Sequence, residues 1–148
     1  MNDEDCWSEG ENSGRVVLQN LKRVVSGPVF GEIATESVWQ GGDGTSLMTD
    51  EVTWRIYNLP TMRRVIEAEI VFKATEGDVH FGDTKEGGIM CVRVASTVKA
   101  SNTGTIENSF GGINESETWG KRANWCDYSG YVDETHLGIA VLDHTTNP

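Results

Sequence analysis

Two stretches of the chain gather chemically capable side chains between glycines. The first, His80-Phe81-Gly82-Asp83-Thr84-Lys85-Glu86-Gly87-Gly88, sets two carboxylates and an ammonium in one short segment. Asp83 and Glu86, with Lys85 between them, are the candidate catalytic residues. Two nearby acids can have their pKa values pushed apart, so that one donates a proton while the other accepts one. On an extended backbone positions 83 and 86 point to opposite faces, so their convergence requires the turn that the flanking glycines permit.

The second stretch, residues 117–130, carries Trp119, Lys121, Arg122, Trp125, Asp127 and Tyr128. Aromatic faces beside Asp127 and Arg122 are what a sugar ring needs for stacking combined with hydrogen bonding. Lys121 and Arg122 could hold a substrate carboxylate or stabilise developing negative charge, the arginine through its fork. A plainer reading stands beside this one: Asp127 and Arg122 as a structural ion pair, and both stretches as a salt-bridged turn and a rim of solvated charge.

A metal site requires ligands. His80, His136 and His144 fall in separate segments without metal-binding spacing, so neither a metal nor another cofactor is expected from these residues. His144, beside Asp143, joins the candidate binding residues, and His80 with Asp83 or His144 with Asp143 could contribute to a site completed by other residues. His136 follows Asp133-Glu134-Thr135, which reads as a turn, and is expected to be exposed.

The elements that must position these residues read as strands. Val52, Trp54 and Ile56 alternate with Glu51, Thr53 and Arg55; Ile66, Ala68, Ile70 and Phe72 alternate with Glu67, Glu69, Val71 and Lys73. Period two is the mark of a half-buried strand. Residues 52–57 and 65–74 are expected to pair antiparallel across the short turn-rich connection between them. Segments 15–25 and 30–40 also read as strands, and Asp43-Gly44 supplies the positive φ of a hairpin turn. The β-branched runs 89–98 and 137–142 are too short for helices and are read as strands, the second apolar throughout and so expected to be buried on both faces. No segment of helical period stands out. The fold expected is all-β, an antiparallel β-sandwich in a single domain.

Composition narrows the partners. The chain has 148 residues, and its 12 Lys+Arg against 23 Asp+Glu give a net charge of -11. That field repels phosphate backbones and anionic bilayers, so neither nucleic acid nor a membrane is an expected partner. No apolar run approaches the roughly 18 residues needed to span a bilayer, and the acidic start Met1-Asn2-Asp3-Glu4-Asp5 is unlike a signal peptide. A soluble protein, cytoplasmic by default, is expected. Cys6, Cys91 and Cys126 form no Cys-x-x-Cys pair, and Cys91 is read as a small buried apolar residue.

Five blocks, in this order, carry a resemblance. They are Trp7-Ser8-Glu9-Gly10; Phe81-Gly82-Asp83-Thr84-Lys85-Glu86-Gly87-Gly88; Trp119-Gly120-Lys121-Arg122-Ala123; Trp125 with Asp127-Tyr128-Ser129-Gly130; and Gly138-Ile139-Ala140-Val141 with Asp143-His144 and Asn147-Pro148. Together they resemble the signature blocks of bacterial proteins named the methane oxygenase PmoA family. The resemblance implies a mutarotase-like sandwich whose concave sheet face holds a carbohydrate or a related small polar molecule. Family members often occur beside genes for sugar uptake and breakdown. Typical members extend further at both ends, so the chain reads as a fragment. The function expected is action on, or binding of, a saccharide by carboxylate acid/base chemistry. A non-catalytic sugar-binding module is the alternative, and the metal-dependent oxygenase of the family name ranks after it.

Overall fold

The computed structural model describes residues 1–60, 62–82 and 89–147. The chain divides into two compact units, Met1–Gly87 and Gly88–Pro148, each built on its own antiparallel sheet. The all-β class expected from the sequence is therefore what the protein has.

The first unit is a four-stranded meander: β1 (Arg15–Ser26), β2 (Phe30–Gln40), β3 (Ser46–Tyr57) and β4 (Val65–Lys73), in that spatial order. The expected pairing of 52–57 with 65–74 is present, from Thr49 opposite Lys73 to Tyr57 opposite Val65. At the β2–β3 turn Gly44 has φ 84°, as the Asp-Gly signal requires.

Register sorts the side chains of this sheet onto two unlike faces. On one, Glu32 lies opposite Arg55, which lies opposite Glu67. Arg55 Nε meets Glu32 at 2.6 Å and its terminal nitrogens reach Glu67 and Glu69, while Arg23 meets Glu32 at 3.1 Å. Glu36 and Glu51 face each other across one rung, a destabilising like-charge pair unless each is compensated. Glu51 is flanked by Lys73 and, at 2.9 Å, by Lys22; Glu36 accepts a hydrogen bond from the Asn20 amide at 2.8 Å. The register shift between Leu21 and Arg23 brings Lys22 into this row, one use of a bulge.

The other face alternates with it and is apolar. Its rungs include Val16–Trp39–Met48 and Val24–Ile33–Trp54–Ala68. Met48 is fully buried there, whereas Leu18, Leu21, Val24 and Ile66 are exposed. Asp50 interrupts this face, and its carboxylate accepts the Trp39 indole N–H at 2.7 Å.

The second unit holds a three-stranded sheet, β5 (Thr105–Asn108), β6 (Trp125–Val132) and β7 (Thr135–Leu142), with a short helix α1 (Asn114–Thr118) between β5 and β6. Among the described residues its buried apolar side chains are Val98 and Ile106. Val98 ends a single 3-10 turn, Ser96–Val98, and lies against Gly104 so closely that a Cβ there would come within 1.9 Å of the Val98 carbonyl oxygen.

Three expectations fail in this unit. Residues 89–98 form no strand: composition favours one, but a strand exists only through a partner, and none pairs with this run among the described residues. Cys91, read as buried within that strand, is exposed. Residues 137–142 do form a strand, but as β7 at the sheet edge they are exposed throughout rather than covered on both faces. The turn before β7 is shorter than expected. Asp133, at φ 47°, and Glu134 make it, so Thr135 and His136 belong to the strand, with His136 exposed.

Candidate functional site

The residues singled out in 117–130 divide among a helix end, a turn and a strand. Trp119 is the C-terminal residue after α1, its N–H bonded to the Glu115 carbonyl, and the residue is 68% exposed. Gly120 turns the chain at φ 65°, leaving Lys121 and Arg122 exposed. Among the described residues Arg122 and Asp127 form no ion pair, so the structural pairing considered for them is not made.

The remainder is strand β6. Alternation places Trp125 and Asp127 on one face and Tyr128 on the other, where its register partners are Ile106 and Ile139. Burial pushes the Tyr128 phenol up, with smaller contributions from Cys126 and Glu115. Tyr128 therefore does not share a stacking surface with Trp125. His144 follows β7 in a local turn, its Nδ1 accepting the Thr146 N–H at 3.3 Å with the Thr146 hydroxyl 2.8 Å away. Asp143 is tied by its own amide to the Asn124 carbonyl and by its side chain to Asn147. Asp83, Lys85 and Glu86 lie outside the described residues.

The face bearing Trp125 and Asp127 holds more than the sequence suggested. Glu107 on β5 stands directly opposite Asp127. Further along the same face Tyr131 stands opposite His136, with ring centroids 5.0 Å apart and nearly perpendicular. Gly138 on β7 forms part of the floor: a Cβ there would come within 3.2 Å of Asp127 Oδ1, so glycine leaves room for the carboxylate to lean over β7. The result is a surface with Glu107 and Asp127 at its centre, Trp125 at one end and Tyr131 with His136 at the other. None of Glu107, Tyr131 and His136 could be assigned to it without the strand register.

Local chemistry fixes β5, which carries Glu107. Asn114, at φ 56°, turns its Oδ1 to accept the Ile106 N–H at 3.1 Å, pinning the start of α1 to the strand. The Glu117 carboxylate accepts the Ile113 N–H at 2.9 Å, and acids in the first turn suit the positive end of a helix. Asn108, buried, uses its Oδ1 to accept the amides of Phe110 and Gly112, both at 3.0 Å. Among the described residues no group of three or more His, Cys, Asp or Glu side chains is placed to hold a metal ion, and no helix is long and apolar enough to cross a membrane.

The signature blocks at Trp7, Trp119, Trp125 and Gly138 thus fall on a loop, a helix end and two paired strands, and a family match spans them all. The chain belongs to the family of unknown function DUF6807. The family's sequence profile covers residues 1–148. No curated protein matches the chain, and no solved structure does.

Proposed function

We propose that this protein binds a saccharide on the β5–β7 face, with Trp125 as the stacking platform and the carboxylates of Glu107 and Asp127 as the polar contacts. The observation that carries this reading is the Glu107–Asp127 rung. Like charges directly opposite in a sheet cost stability, so placing them on the face that carries the half-exposed Trp125 favours a role in binding over one in folding. Paired carboxylates accept hydrogen bonds from sugar hydroxyls, and the same pair suits proton transfer at a glycosidic or anomeric oxygen. The resemblance to proteins named the methane oxygenase PmoA family supports the reading too, since it implies a mutarotase-like sandwich with a carbohydrate on its sheet. The net charge of -11 disfavours polyanionic ligands such as nucleic acid. Calorimetric titration with neutral saccharides, comparing the wild type with Trp125→Ala and Asp127→Asn, tests the proposal.

A further inference from the structure

Residues 1–14 contain neither strand nor helix, yet they are held at several points. Asn2 and His80 are joined twice, Asn2 N–H to the His80 carbonyl at 3.0 Å and His80 N–H to Asn2 Oδ1 at 2.7 Å. The Glu4 carboxylate accepts the Gly42 N–H at 3.2 Å. Asp5 Oδ1 accepts the amides of Trp7 and Ser8 at 2.9 and 3.0 Å, and hydrogen bonds from Ser8 and then Trp7 hold its carboxyl below the ordinary range. Gly14 N–H closes the loop onto the Asp5 carbonyl at 2.8 Å. A Cβ at Gly14 would meet Cys6 Sγ at 2.7 Å and the Gln40 carbonyl oxygen at 2.8 Å, so only glycine lets the loop seat here.

Between this loop and the start of β1 lies a cleft of about 690 Å³, lined in part by Cys6, Trp7, Ser8, Glu9, Arg15 and Val17. The cleft is open to solvent, so it can seat one face of a small molecule against the loop rather than enclose it. The loop leaves Trp7 64% exposed. An ordered loop on a rigid sheet that presents an aromatic ring to solvent is the usual way a fold offers a binding group.

We propose that this cleft is a binding site for a neutral saccharide. The Trp7 indole and Val17 suit the C–H face of a sugar ring, Glu9 accepts hydrogen bonds from hydroxyls, and Arg15 donates to them. One carboxylate and one guanidinium leave the lining without net charge, which selects neither an anion nor a cation. The proposal stands independently of the β5–β7 face, because the cleft lies wholly within the first unit and its variants are different residues.

The test is titration of the 148-residue protein with glucose, galactose, xylose and maltose, and in parallel with glucuronate and phenylalanine. A neutral sugar is expected to bind, and Trp7→Ala and Arg15→Ala each to weaken it about tenfold, the loss of one well-packed contact. Trp7→Phe should retain most of the affinity, and Asp127→Asn should leave this binding step unchanged. Alkylation followed by peptide mass spectrometry should show Cys6 protected by the sugar and Cys91 unaffected. The proposal is overturned if no neutral sugar gives a titration sensitive to Trp7→Ala, if Cys6 is not protected, or if glucuronate or phenylalanine occupies the cleft more tightly than every neutral sugar.

Discussion

Trp39 donates its indole N–H to Asp50 Oδ2 at 2.7 Å, while the second carboxylate oxygen of Asp50 is buried with no hydrogen-bond partner among the described residues. The bond ties β2 to β3 on the apolar face. Removing the donor leaves both oxygens unmet, so Trp39→Phe is expected to cost about 2 kcal/mol, the scale of a hydrogen bond to a charged group. Asp50→Asn keeps an acceptor for the indole and removes a buried charge, so it should cost less than about 1 kcal/mol. Urea unfolding of the two variants checks the order.

Arg55 is the common partner of Glu32, Glu67 and Glu69, and Glu32 is the buried one of the three. Arg55→Ala leaves Arg23 beside Glu32 and should lower the urea midpoint. Arg55→Lys keeps the charge but cannot bridge three acids with one planar fork, and should fall between alanine and the wild type. Equal midpoints for all three proteins would show that the network contributes nothing to stability.

Glu51 has its carboxyl lowered from 4.5 to about 2, chiefly by the hydrogen bond from Lys73 and then by that from Lys22. A folded-state pKa below the unfolded value gives stability that is fully present above 4.5 and is lost as pH falls through about 2. Glu51→Gln should therefore flatten the fall in urea midpoint across that window while changing little between successive acidic points below it. Raising the salt concentration should shrink the difference, because these side chains are solvated.

Backbone proximity separates two glycine substitutions. Gly104→Ala drives a methyl into the Val98 backbone and should cost about 3 kcal/mol, the upper range for overpacking. Gly44→Ala meets open space and carries only the penalty of φ 84°, about 1 kcal/mol. Thermal unfolding should rank them in that order.

Much of the first sheet is legible in the sequence, because β3 and β4 alternate apolar and polar residues and the Asp43-Gly44 signal fixes one turn. The second sheet is not. Residues 125–132 set Trp, Asp, Ser and Tyr on one face against Cys, Tyr, Gly and Val on the other, an alternation too weak to distinguish a strand from a polar loop, whereas 89–98 has strand composition and no partner strand among the described residues. The candidate site is partly legible in the sequence: Trp125 and Asp127 stand two apart, and their chemistry marks them. Glu107 was not visible, since its place opposite Asp127 is set by register between segments that share no local signal.

Saccharide titration against the β5–β7 face tests the account most directly. Isothermal calorimetry of the wild type with neutral mono- and disaccharides should give a binding step that Trp125→Ala and Asp127→Asn each weaken about tenfold, with Glu107→Gln following Asp127→Asn in direction. Trp7→Ala should leave that step intact. A saccharide titration unchanged by Trp125→Ala, Asp127→Asn and Glu107→Gln, or no binding of any neutral saccharide by the wild type, would contradict it.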